Sequence, residues 1–60
     1  MSAEDRMAFI QSMVNRLAEK LEENPNDRTG WERLTRAYEV LGDTEKEQAA
    51  KARLEALPAN

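Results

Sequence analysis

Residues 25–42 read PNDRTGWERLTRAYEVLG, and this stretch decides the fold. Four apolar residues in it recur at steps of three, four and three, which places them on one stripe of an α-helix: Trp31, Leu34, Tyr38 and Leu41. Pro25 precedes this helix, and Gly42 follows it with the backbone freedom that a helix end requires. We predict a helix from about Arg28 to Leu41 with its apolar stripe buried.

The segment before this stretch predicts a long first helix over residues 3–23. Five apolar residues repeat there at steps of three, four, three and four: Met7, Ile10, Val14, Leu17 and Leu21. Ser2 is a good N-cap, and acidic residues follow it. The same spacing can also form a short coiled-coil seam. Phe9 lies off the stripe, where it serves either as flank packing or as a second contact surface.

The segment after Gly42 predicts a third helix. Asp43 or Thr44 caps it, and residues 44–47, Thr-Glu-Lys-Glu, fit a capping box. Four residues form its apolar side: Ala49, Ala50, Leu54 and Leu57. Three helices joined by short turns predict an all-α fold with antiparallel neighbours, in one domain over residues 1–60.

The composition excludes most catalytic and ligand chemistry. The chain has 60 residues, nine Lys and Arg, twelve Asp and Glu, no His and no Cys. No hydroxyl has a histidine to activate it, so we expect no enzyme activity, and we expect no metal site and no cofactor. A net charge of −3 with only three aromatic residues argues against nucleic-acid binding.

No segment is expected to insert into a membrane. The longest uncharged stretch, residues 7–15, is too short and too polar to span a bilayer, and no signal peptide is visible. These features predict a cytoplasmic protein if the chain is full-length. The inference does not hold if the chain is part of a longer protein.

The predicted second helix resembles the first helix of a tetratricopeptide repeat, a helical hairpin of 34 residues. The resemblance is carried by Trp31, Leu34, Tyr38, Leu41 and Gly42. It implies a long first helix followed by one repeat hairpin over residues 28–57, and a surface that binds another protein or peptide. The third helix departs from the pattern, with Glu47 where a small residue is usual and Lys51 where an aromatic is usual.

A narrower resemblance covers nearly the whole chain. Met13-Val14, Leu17-Ala18, Leu21-Glu22, residues 24–27 and Gly30-Trp31 look like the repeat region of c-type cytochrome biogenesis proteins. In that family, membrane-anchored periplasmic repeat domains hold apocytochrome for haem attachment. The resemblance implies a scaffold or chaperone-like role, and a periplasmic location if the chain is part of such a protein.

Two surfaces are candidates for contact with other chains. Repeats of this type bind peptides on their concave face, which the resemblance assigns to Thr29, Glu32, Arg36, Glu39 and Val40. Arg36 would pair with a ligand carboxylate; the alternative is a solvated face with a Glu32–Arg36 ion pair. Trp31 and Tyr38 are interpreted as core rather than as an aromatic platform. The first helix offers a self-association seam, giving a homodimer: Phe9, Ile10, Met13 and Leu17.

Overall fold

Three α-helices make up the fold of residues 2–58, the part of the chain that the computed structural model describes. They are α1 (Ala3–Glu23), α2 (Arg28–Leu41) and α3 (Thr44–Glu55). Among the described residues there is no strand, so the predicted all-α class is confirmed. The single domain predicted over residues 1–60 also includes residues 1, 59 and 60, which lie outside the described part.

Each helix begins at a side chain that accepts a hydrogen bond from the backbone N–H three residues further on. The donor-to-acceptor distances are 3.1 Å at Ser2, 3.0 Å at Asp27 and 3.2 Å at Asp43. Such caps satisfy backbone donors that have no partner within the helix. The capping box predicted over residues 44–47 is wrong, because Asp43 is the cap and Thr44 is already the first residue of α3.

Gly42 ends α2 in the left-handed conformation, with φ of 76° and ψ of 17°. Its N–H donates to Glu39 O, and the N–H of Asp43 donates to Tyr38 O. These bonds close the last turn of α2 and reverse the chain within two residues. The predicted left-handed end of α2 at Gly42 is confirmed.

The core lies on α2, which packs against both α1 and α3. Six hydrophobic residues of the described part are buried and form this core: Val14, Leu21, Trp31, Leu34, Tyr38 and Ala50. Trp31 is only 4% exposed, and its Nε1 donates to Pro25 O at 2.8 Å. The predicted burial of Trp31 is therefore confirmed. The indole N–H, which is the one polar group of the Trp31 side chain, is hydrogen-bonded to the loop that joins α1 to α2. The side chain therefore helps to hold the two helices together.

Gly30 lets α1 approach α2 closely. A Cβ atom at this position would lie 2.5 Å from Leu21 Cδ2 and 2.7 Å from a carboxylate oxygen of Asp27. Both neighbours are constrained, since Leu21 is fully buried and Asp27 caps α2. The absence of a side chain at Gly30 is therefore a packing requirement.

The amino-terminal part of α1 reaches beyond the core. At 1.5 Å per residue, α1 is about 31 Å long and α2 about 21 Å long. Burial along α1 begins only at Ile10, while Met7, on the same stripe, is 46% exposed. The radius of gyration, 12.1 Å, accordingly exceeds the value of about 10 Å typical of a compact chain of this length.

Candidate partner-binding surfaces

A polar groove of about 490 Å³ lies along α2 and α3. It is lined by Thr29, Glu32, Arg33, Thr35, Arg36, Glu39, Lys51 and Leu54. The groove is open to solvent along its length. We call it the α2–α3 groove.

Four of the five residues that the sequence assigns to a partner-binding face line this groove together: Thr29, Glu32, Arg36 and Glu39. The fifth, Val40, does not line it. Val40 lies one turn after Arg36, next to the last residue of α2, and is 71% exposed. The concave-face assignment therefore corresponds to one continuous surface except at Val40.

The charges in the groove are not paired with one another. Arg33, Arg36 and Lys51 face the groove with two carboxylates, those of Glu32 and Glu39. Among the described residues, none of these five groups forms a salt bridge within 4 Å, so the predicted Glu32–Arg36 ion pair is not formed. The groove thus carries one more positive than negative charge, on a chain whose net charge is −3.

Four residues that line the groove were not predicted: Arg33, Thr35, Lys51 and Leu54. Arg33 and Thr35 could have been predicted from the sequence, because they lie within one helical turn of Thr29, Glu32 and Arg36. Lys51 and Leu54 belong to α3, and only the packing of α3 on α2 brings them to this surface. The hydroxyl of Thr35 donates to Trp31 O at 2.8 Å and is already used within α2.

The second predicted surface, on α1, is only partly exposed. Phe9 is 58% and Met13 is 49% exposed. More than half of Phe9 is thus accessible to solvent. Ile10 and Leu17 are half-buried and pack against the core. Only part of each side chain is therefore available to the predicted self-association surface. The exposed apolar surface is centred on Phe9 and Met13.

A smaller cleft between α1 and α3 is bridged at the surface by one ion pair. Arg53 Nη1 donates to both carboxylate oxygens of Glu22, at 3.1 and 2.9 Å. The guanidinium of Arg53 also lies 4.6 Å from the centre of the Trp31 ring. Arg53 thus connects α3 to α1 across the buried indole. We therefore interpret the cleft as part of the packing between these helices and not as a binding site.

The class that these observations define is a small all-α protein with an open charged groove and one uncovered apolar helix end. None of the helices in residues 2–58 combines the length and the apolar character needed to cross a bilayer.

Comparison with known proteins shows that the chain is similar to a short part of two larger proteins. The chain is 48% identical over 52 residues to the cytochrome c-type biogenesis protein CycH of Bradyrhizobium diazoefficiens, covering 87% of this chain and 14% of that protein. It is 44% identical over 50 residues to CycH of Rhizobium meliloti, covering 83% of this chain and 13% of that protein. Neither a protein-family model nor a solved structure matches the chain significantly.

The chain is thus homologous to a short segment of proteins named for c-type cytochrome biogenesis. This confirms the narrower resemblance over that segment. The tetratricopeptide character stays a prediction, because it depends on half of one repeat motif in α2.

Proposed function

We propose that this chain is a protein-interaction module of the tetratricopeptide type that acts in c-type cytochrome biogenesis. In this role it is a non-catalytic scaffold that holds a segment of a partner polypeptide in a chaperone-like way. The names of the homologues supply the process. The observation that carries the mode of binding is the α2–α3 groove, which is lined by three cations without an ion-pair partner and by the apolar side chain of Leu54.

The groove supports recognition of an extended segment that carries a carboxylate next to an apolar side chain. Arg36 offers a planar guanidinium that can bond both oxygens of one carboxylate. Leu54 offers apolar surface to the neighbouring side chain of the ligand. Glu32 and Glu39 repel a second carboxylate placed close by, and this repulsion makes the position of the acidic residue specific.

The partner that the homology suggests is the haem-free polypeptide of a c-type cytochrome. The test is a titration of this chain with such a polypeptide, followed by the amide chemical shifts of α2 and α3 in nuclear magnetic resonance spectra. We expect shifts confined to the groove. Arg36→Ala should weaken binding roughly tenfold or more, because a charge-assisted hydrogen bond is worth about 1.5–3 kcal/mol.

Arg6→Ala is the matched control, since it removes the same charge from an exposed helical position of α1. It should leave the affinity within about twofold, the usual range for surface substitutions away from a contact. An equal loss of affinity in the two variants would mean that binding of the polypeptide depends only on the net charge of the chain. Shifts on α1 alone would move the binding site away from the groove.

A second candidate function is structural self-association without a peptide ligand. It is favoured by a different observation, the exposure of Phe9 and Met13 on the part of α1 that α2 does not cover. Exposed apolar patches of this kind are typical of association surfaces. Sedimentation equilibrium from micromolar to millimolar protein tests it. A rise in mass from 6.9 kDa toward twice that value supports a homodimer, and a constant mass rejects it.

A further inference from the structure

We propose that two copies of this chain pair through antiparallel α1 helices, about a two-fold axis at the level of residues 10–11. This inference rests on the self-association described above and specifies its geometry. The contact surface, which we call the α1 end patch, consists of Phe9 and Met13, which are both exposed. The occupant of the patch is the same patch on the second copy.

The patch has the shape of a helix-packing seam. Phe9 and Met13 are four residues apart and therefore adjacent on one flank of α1. Val14 and Leu21, which are buried in the core, lie on a different side of the helix. A second helix can thus pack on Phe9 and Met13 while α1 keeps its own contact with α2. Contact between a thioether and an aromatic ring is also favourable.

The charges on this flank select the direction of pairing. Asp5 and Arg16 are eleven residues apart, close to three full turns, and they stand on the flank that carries Phe9. Both are exposed, and neither forms a salt bridge within the described part of the chain. A parallel pair of α1 helices would place Asp5 opposite Asp5 and Arg16 opposite Arg16, which is unfavourable at both ends.

An antiparallel pair places Asp5 opposite Arg16 at both ends of the seam. The same arrangement places Phe9 opposite Met13, and the midpoint of each pair falls at residues 10–11. The charged pair and the apolar pair therefore place the two-fold axis at the same level of α1 to within one residue. The seam is only about two heptads long, so the dimer should be weak and visible only at high protein concentration.

The first test measures a distance between the two copies. The chain has no cysteine, so a nitroxide on Glu23→Cys is the only label, and residue 23 is exposed at the far end of α1. It lies twelve residues from the axis, so an antiparallel pair separates the two labels by roughly 36 Å. A parallel pair would keep them about 10 Å apart. Electron paramagnetic resonance distinguishes the two values.

The second test reverses the charges. Arg16→Glu should weaken dimerisation roughly three- to tenfold in sedimentation equilibrium, because two attractive pairs become repulsive. The double variant Asp5→Arg/Arg16→Glu should restore it. Lys46→Glu is the control, since it makes the same change of charge at an exposed position of α3 outside the groove and should leave the association constant unchanged. Circular dichroism verifies that every variant is as helical as the parent.

The outcomes separate this inference from the self-association on which it rests. A dimer with labels about 10 Å apart, or a dimer that is unaffected by Arg16→Glu, overturns the antiparallel arrangement and leaves self-association intact. A mass that stays at 6.9 kDa up to millimolar protein overturns both. A long distance together with rescue by the double variant supports the arrangement proposed here.

Discussion

The α2–α3 hairpin and the amino-terminal part of α1 use the same kind of sequence with opposite results. Both carry apolar residues at helical spacing. The hairpin contains two aromatic residues, Trp31 and Tyr38, and the amino-terminal part of α1 contains one, Phe9. Trp31 in the hairpin is almost completely buried, whereas Phe9 in α1 is more than half exposed. Helical periodicity therefore determines which residues share a side of a helix, and burial depends on whether another helix reaches that side.

The stripe along α1 shows the same difference within one helix. Met7, Val14 and Leu21 share a side of α1, but Met7 is exposed while the other two are buried. Because α2 is shorter than α1, it covers the stripe only from Ile10 onward. The uncovered part is where the molecule can still gain free energy by binding, and this is why we place self-association there.

The largest effect is expected in the buried region, at Trp31. Trp31→Ala should cost about 3–5 kcal/mol, because it leaves a cavity and removes the bond from the indole to Pro25 O. A chain of 60 residues has a stability of roughly 3–9 kcal/mol, so this variant should be largely unfolded in circular dichroism. Val40→Ala, an exposed change on the same helix, is the control and should melt like the parent.

A second prediction concerns the contact between α1 and α2. Gly30→Ala places a methyl group against Leu21 and the capping carboxylate of Asp27. Overpacking typically costs 1–3 kcal/mol, and the gain in helix propensity offsets about 1 kcal/mol of it. The net loss in chemical denaturation is therefore about 0–2 kcal/mol, and we expect it near 2 kcal/mol because both neighbours of the methyl group are constrained. A more stable variant would mean that the two helices are not in close contact at this point.

The fold could be predicted from the sequence because its signals are local. The stripe from Trp31 to Leu41 and the turn at Gly42 each depend on residues within a few positions of one another. The cap of α3 was predicted as Asp43 or Thr44, and the structure shows that it is Asp43. Both side chains are good caps, and only the backbone geometry at Asp43 decides between them.

The groove was predictable only on the side formed by α2. The resemblance assigned Thr29, Glu32, Arg36 and Glu39 to one face, and this was possible because they belong to one helix. Lys51 and Leu54 join them through the packing of α3 on α2, and this register is a tertiary property. The α3 sequence does not mark it, since its apolar positions are few and partly small.

The third prediction tests the end of α2 in the hairpin. A methyl group at Gly42 would meet no atom within 4 Å, so its cost comes from the positive φ alone. Gly42→Ala should lower the free energy of unfolding by about 1 kcal/mol. We expect a larger loss for Gly30→Ala, because the added methyl group there also meets packed atoms. Gly42→Asn should recover part of the loss, because Asn tolerates this conformation better. Thermal melts of the three proteins provide the comparison.

The smallest effect on stability is expected at Phe9, and it makes the sharpest contrast with Trp31. Phe9→Ala removes an aromatic ring from an exposed position, so the free energy of unfolding in dilute solution should change by less than about 0.5 kcal/mol. The same variant should abolish the rise in mass at millimolar concentration, because the ring belongs to the α1 end patch. A loss of several kcal/mol in dilute solution would contradict this account, since Phe9 would then belong to the core and the two regions would not differ. An unchanged stability with an unchanged mass profile would keep Phe9 at the surface and move the association to another part of the molecule.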